Sequence, residues 1–288
     1  MDSTTEINAA TDIRSLPLHP VIGAEIKGVD LRYPLEAEAC EVIKNVWYAH
    51  LVILLRNQDL SEDDQIRFAE SFGPLTQSKS KRRAHHGTGN PAIMWISNIR
   101  ENGALVGALP DGEMNFHTDQ SHQETPCSGT MLYSLEVPSR GGNTLFANCY
   151  EAYRTLPDEI KQKLDGRLAL HAYDYDYAST KRGTVLREGV PHAIHPVVRT
   201  HPNTGRKALY VNRLMTLRIE GMDPVESEEL LTYLFDHAEN PEHVYEHVWK
   251  PGDLILWDNR CTLHARTDFS AAERRLLRRV TILGEKPF

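Results

Sequence analysis

Thr130-Met131-Leu132-Tyr133-Ser134-Leu135-Glu136-Val137, then the turn signal Ser139-Arg140-Gly141-Gly142, then Thr144-Leu145-Phe146-Ala147, is the stretch whose reading decides the fold. Both flanking runs are rich in branched and aromatic residues and too short for ordinary helices, so each reads as a strand. More such runs follow at His192 to Thr200, Ala208 to Asn212, Asp253 to Asp258 and Leu276 to Leu283. Asn203-Thr204-Gly205-Arg206 should close a hairpin between Val198 and Leu209. Many short strands with few helices predict a mainly β fold with flanking helices, a double-sheet jelly roll rather than a doubly wound parallel sheet.

The first third is mixed. Leu35 to Tyr48 has helical spacing, with Leu35, Cys40, Val42, Ile43 and Val46 available as one stripe, and Leu51 to Leu55 reads as a buried strand. Ser61 should cap a helix over Glu62 to Phe72, which Gly73-Pro74 ends. Lys79 to Gly112 reads mainly as a long loop near a functional opening, with an apolar island at Ile93 to Ile96. Two further helices are expected, Tyr150 to Leu164 and Val225 to Ala238, the second entered through Pro224. With no linker in view, residues 1–288 read as a single domain, residues 1–15 being a flexible tail.

The chain has 288 residues, 40% of them hydrophobic, and a net charge of −8. That is enough for one substantial core. The acidic balance argues against a nucleic-acid partner, since phosphate binding calls for a basic face; Lys79, Lys81, Arg82 and Arg83 form a local basic loop. Cys40, Cys127, Cys149 and Cys261 show no C-x-x-C pair and read as reduced thiols. Met1 to Ala10 lacks the pattern of a secretory signal, and no apolar run is long enough to span a membrane. A cytoplasmic protein with no membrane partner is expected.

Chemistry concentrates at His117-Thr118-Asp119. In an extended segment residues two apart face the same side, so this imidazole and carboxylate could ligate one metal while Thr118 faces away. A chain with 14 histidines yields about one such tripeptide by chance, so context must carry the weight. His122-Gln123-Glu124 and His237-Ala238-Glu239 offer the same spacing, though His237 reads as a solvated helix end. His264 lies 264 − 119 = 145 residues after Asp119, and a jelly roll can return so distant a strand beside the first. Two imidazoles and a carboxylate occupy one face of an octahedral ferrous ion and leave three positions open. In Arg274-Arg275-Leu276-Leu277-Arg278-Arg279-Val280-Thr281-Ile282, alternation places Arg275, Leu277 and Arg279 on one face, and two inward guanidiniums call for anions.

These motifs resemble the taurine dioxygenase and aryloxyalkanoate dioxygenase family of Fe(II)/2-oxoglutarate enzymes. The resemblance spans roughly residues 16–288. Phe116 to Asp119, Glu136 to Thr144, His195 to Pro202, Tyr210-Val211-Asn212, Trp257 to Arg260 and Arg274 to Phe288 carry it. It implies a double-stranded β-helix of the cupin-like kind, with His117, Asp119 and His264 as iron ligands. It further implies that the distal carboxylate of 2-oxoglutarate meets Arg275 and Thr144, and that Arg279 contacts the acidic group of the substrate. Asn212 and Trp257 would sit beside the pocket. The implied reaction consumes O2, hydroxylates a C–H bond and releases succinate and CO2; Asp119 argues against halogenation, because related halogenases lack this carboxylate.

At two positions used for taurine in the family, this chain carries Ser78 and Glu113, and a carboxylate facing a sulfonate would repel it. A small organic acid other than taurine is therefore expected: an aryloxyalkanoate, another carboxylate or a different sulfonate. Tyr173, Tyr175 and Tyr177 would accept an apolar body. Relatives often assemble as dimers or tetramers, so a homo-oligomer is expected. Two rivals stand beside this reading. A zinc hydrolase would use the same ligands around an activated water but has no use for Thr144 and Arg275; a non-catalytic jelly-roll binding or sensing protein would keep the metal only as structure.

Overall fold

The computed structural model describes residues 12–77, 89–108, 112–175, 182–183 and 185–288. Two sheets dominate. The larger has seven strands in the order Arg14–Pro17, Ala24–Lys27, Val52–Leu55, Leu254–Asp258, Gly129–Glu136, Leu276–Ile282 and Met94–Ser97; the second and third run parallel and the other neighbours antiparallel. The smaller has four, Val244–His247, Thr144–Asn148, Thr262–Arg266 and Met114–His117, all antiparallel. The Gly141-Gly142 turn thus carries the chain from one sheet to the other.

Strict alternation explains how the large sheet is buried on both faces. Ile255, with Leu54 and Leu132 opposite it, joins the core that also holds Phe146, Ala147 and Leu263 of the smaller sheet. Leu256, one residue on, stands opposite Ile53 and Met131 and packs with Ile43, Trp47 and Phe68 of the two N-terminal helices. One face closes on the second sheet and the other under helices. This is the expected jelly-roll layering.

Helix Ala37–His50 buries Ala39, Ile43 and Trp47, a stripe at i, i+4 and i+8 that shares only Ile43 with the expected one, and Leu51 ends it at φ 66°. Helix Glu62–Glu70 starts at Ser61 through a reciprocal capping box with Asp64. The single helix expected over Tyr150 to Leu164 is two, Cys149–Thr155 and Asp158–Leu164. Pro157 breaks it: Leu156 is forced to extended backbone, ψ 143°. Pro224–Ala238 forms as expected, capped by Asp223.

The hairpin pairs Val198 with Leu209, as the turn signal required. Its strands are shorter than expected, and the run from His192 splits at Val197 between His192–Pro196, which pairs with Leu168–Ala172, and Val198–Thr200. The island in the expected long loop is the edge strand Met94–Ser97, followed by a small hairpin, Arg100–Glu101 with Ala104–Leu105. The basic segment from Lys79 to Arg83 lies outside the described residues. Among the described residues, no helix is long and apolar enough to cross a membrane.

Candidate metal centre and cavity

Strands Met114–His117 and Thr262–Arg266 are neighbours, and His117 and His264 are direct cross-strand partners with ring centroids 4.1 Å apart. The strand ends at His117, so Asp119 sits in the following turn rather than on an extended segment, yet its Oδ1 lies 4.0 Å from His117 Nε2 and 3.9 Å from His264 Nε2. One donor atom from each of the three buried residues falls within 4.8 Å of the others. His117 Nδ1 is 2.9 Å from the Asn115 carbonyl, so Nδ1 carries the proton and Nε2 keeps its lone pair for a cation. Thr118 faces away as expected and donates to the Thr262 carbonyl.

The electrostatics suit a cation ligand set. Burial pushes both histidines below the ordinary imidazole range, keeping them neutral. Burial alone would raise the Asp119 carboxyl, but Arg279, the two histidines and the Thr130 hydroxyl together hold it well below the usual carboxylate range. Its Oδ2 accepts from Thr130 at 2.6 Å and forms an ion pair with Arg279 Nη2 at 2.9 Å. Among the described residues no hydrogen-bond donor reaches Oδ1.

A cavity of about 320 Å³ opens over this centre. One part of its lining is a clamp. Gly141 and Gly142 have φ of 73° and 64°, and a Cβ on Gly142 would sit 3.3 Å from Arg275 Nε, so the glycine pair both makes the turn and clears room for the guanidinium. The turn delivers Thr144, whose Oγ1 accepts the Trp249 indole N–H at 3.0 Å and keeps its own proton to donate. Arg275 is 3% exposed, and among the described residues no carboxylate pairs with it. Burial first, and Arg266 second, push it down to about 9. A buried cation beside a free hydroxyl is a receptor for a carboxylate.

The remaining lining is chiefly apolar and aromatic, with Met94, Ile96, Met114, Met215, Tyr173 and Tyr175, and carries Arg266 and Arg279 as its cations. Other expected contacts fall elsewhere. Glu113 is exposed and not among the lining residues, so its carboxylate does not repel anything in the cavity. Asn212 is buried behind the lining, where Oδ1 accepts the Met215 N–H and Nδ2 reaches Ser121; it braces the turn that presents Met215. Ser78 and Tyr177 lie outside the described residues. Among the described residues His237 belongs to no metal-type cluster; it joins two helices through the Ala152 carbonyl.

Sequence reading missed several residues. Arg266, two after His264 on one strand, lines the cavity and donates to the Gly112 carbonyl; alternation would have found it once the strand was recognised. His122, offered by the sequence only as an alternative imidazole at metal-ligand spacing, lines the cavity against Tyr173 and is pushed down to about 4 by burial. Thr130 acts from the larger sheet and Trp249 from the segment that follows the strand paired with Thr144, and no local pattern signals either.

Comparison with known proteins agrees with this geometry. The family model described as "Taurine catabolism dioxygenase TauD, TfdA family" matches residues 13–281. Pentalenolactone F synthase of Streptomyces avermitilis is 34% identical over 98% of this chain and 97% of its own. The alpha-ketoglutarate-dependent 2,4-dichlorophenoxyacetate dioxygenase of Cupriavidus pinatubonensis is also 34% identical, covering 93% and 97%. The crystal structure of AAD-2 in complex with Mn(II) and N-oxalylglycine superposes with a TM-score of 0.78 at 29% identity, covering 96% of this chain and 98% of that one.

Proposed function

The chain belongs to the TauD/TfdA family of dioxygenases, and we propose that it uses this cavity to hydroxylate a C–H bond of a small organic acid with Fe(II), 2-oxoglutarate and O2, releasing succinate and CO2. The observation that carries the site assignment is the pairing of an open His-Asp-His face with a buried arginine that has no carboxylate partner among the described residues. The donor set suits a ferrous ion: two neutral imidazoles and one carboxylate leave half of an octahedron free. When bound, that ion supplies the redox chemistry on dioxygen.

The chain's own residues do the positioning. His117 Nε2, His264 Nε2 and Asp119 Oδ1 hold the metal. Arg275 and the Thr144 hydroxyl take the distal carboxylate of 2-oxoglutarate, fixing the direction in which its keto acid end points at the open face. Arg279 receives the acid group of the primary substrate, and the methionines and tyrosines surround its apolar body and exclude water. A zinc hydrolase would leave Arg275 unpaired in a dry pocket, which is costly.

The substrate we propose is an acid with an apolar body, an aryloxyalkanoate or a sulfonate other than taurine, supported by a lining of sulfur, aliphatic and aromatic groups around Arg279. Four cysteines without a disulfide support a cytoplasmic location. Assembly as a dimer or tetramer belongs to the proposal and is measured by light scattering. The test of function is a panel of aryloxyalkanoates, sulfonates and other carboxylates incubated with Fe(II), 2-oxoglutarate and oxygen. Succinate should rise with at least one acid and stay at background in His117→Ala; substrate-dependent turnover with Zn(II) and without oxygen would reject the reading.

A further inference from the structure

Asp119 is gripped from behind by a directional hydrogen-bond relay. The Trp257 indole N–H donates to Asn259 Oδ1 at 2.9 Å, Asn259 Nδ2 donates to Thr130 Oγ1 at 2.8 Å, and Thr130 Oγ1 donates to Asp119 Oδ2 at 2.6 Å. All four side chains are buried, and Trp257 stands opposite Thr130 across adjacent strands. The direction is not arbitrary. An indole nitrogen can only donate, so it selects which end of the Asn259 amide faces it and settles the amide flip. The NH2 end must then face Thr130, with Cys127 Sγ at 3.3 Å as its second acceptor. A hydroxyl that receives that proton has its own left to give. Asp119 must accept it, and does so at Oδ2 alone.

Oδ2 is therefore held by the Thr130 hydrogen bond and by the Arg279 ion pair, while Oδ1 faces both histidines. We propose that Trp257, Asn259 and Thr130 are positioning residues that restrict Asp119 to one-oxygen coordination through Oδ1, and so keep a third position on the metal open. The count of positions gives this its functional sense. Two histidines and one carboxylate oxygen would leave three of a ferrous ion's six sites, enough for a two-point keto acid and one for dioxygen. A carboxylate free to swing and bind through both oxygens would fill that position. Trp257 also packs its ring 4.7 Å from His264, so one residue orients two of the three ligands.

This inference rests on the metal reading above, and its test separates the two. Mn(II) binding is measured by calorimetry, the visible absorption of the Co(II) form reports coordination number, and the ratio of hydroxylated product to succinate reports coupling. Thr130→Val, close in shape, should weaken Mn(II) binding roughly 10- to 100-fold, as loss of an orienting partner does, change the Co(II) spectrum and lower the product-to-succinate ratio. Thr130→Ser should restore all three. Because Thr130 is fully buried, Asn259→Asp is the second variant. A carboxylate there accepts from both Trp257 and Thr130, reverses the relay and should reproduce the Thr130→Val phenotype. Variants that melt like wild type and bind Mn(II) with wild-type affinity and an unchanged Co(II) spectrum would overturn the relay. A wild-type protein that binds neither ion would sink the metal reading and the relay with it.

Discussion

Two buried clusters in this molecule have nearly the same composition. One is His117, Asp119 and His264; the other is His201, Asp258 and Cys261, also with ligand-type atoms within 4.8 Å. The second is closed. Arg260 grips Asp258 through Nε to Oδ1 at 2.8 Å and Nη2 to Oδ2 at 2.7 Å, its backbone N–H adds a bond to Oδ1, and His201 Nε2 sits 3.0 Å from Oδ2. His201 Nδ1 accepts two further backbone N–H groups. Every oxygen of Asp258 is spoken for, whereas Oδ1 of Asp119 is not. Residue type alone does not make a metal centre; what is left without a partner does. The same contrast separates two arginines, Arg260 with its carboxylate and Arg275 without one.

The sharpest break of this contrast is to remove a histidine from each cluster. His264→Ala should abolish measurable Mn(II) binding and substrate-stimulated succinate, a larger loss than the roughly 10- to 100-fold seen when only an outer partner is cut. His201→Ala should bind Mn(II) with wild-type stoichiometry in calorimetry. If both lose the metal equally, the distinction between open and closed clusters is wrong.

Next in size, Asp258→Asn strips Arg260 of its carboxylate and leaves a buried cation, which costs about 3–5 kcal/mol. Urea unfolding should show that loss, while the folded fraction keeps its metal affinity. Arg275→Lys replaces a fork by a point charge in the open partner. Losing one charge-assisted bond of about 1.5–3 kcal/mol should raise KM for 2-oxoglutarate by roughly 10- to 150-fold, with the substrate KM little changed in steady-state assays.

The most gradual effect, spread over several pH units, comes from His171, buried beside His195 and Tyr210 with its Nε2 lacking a hydrogen-bond partner among the described residues. Burial, then His195 and His122, push it down to about 3. Unfolded, it takes a proton below about 6.5, so between those values the unfolded chain binds the extra proton. Stability should fall as pH falls through this window, by about 1.4 kcal/mol per pH unit from this group. His171→Phe should flatten that slope in acid unfolding curves.

The fold was legible where its physics is local. The branched and aromatic runs at residues 130–137 and 253–258, the Asn203 to Arg206 turn, the Ser61 cap and Pro224 all act within a few residues, and each element stands close to where it was expected. What failed needed distant partners. Met94–Ser97 is a strand because Leu276–Ile282 offers it an edge, and Thr262–Arg266 is one because two neighbours flank it. The site followed the same rule. His117, Asp119, His264, Thr144, Arg275 and Arg279 were named from motif resemblance and meet in one cavity. Glu113 was misplaced because its side is set by a loop, and Thr130 was invisible because its role exists only once residues 257–259 lie alongside.

His117 and His264 face each other across one rung of a ladder, 264 − 117 = 147 residues apart. Neither half of the chain can assemble the centre alone, so this rung closes one of the longest loops in the topology, at an entropic cost that grows with the logarithm of its length. A metal that bridges the rung acts as a late staple. It stabilises the native state by mass action, and where the rung forms after the folding barrier it slows unfolding while leaving the refolding rate unchanged. Metal retention thus reports, from a single position, that the two ends of the fold have found each other.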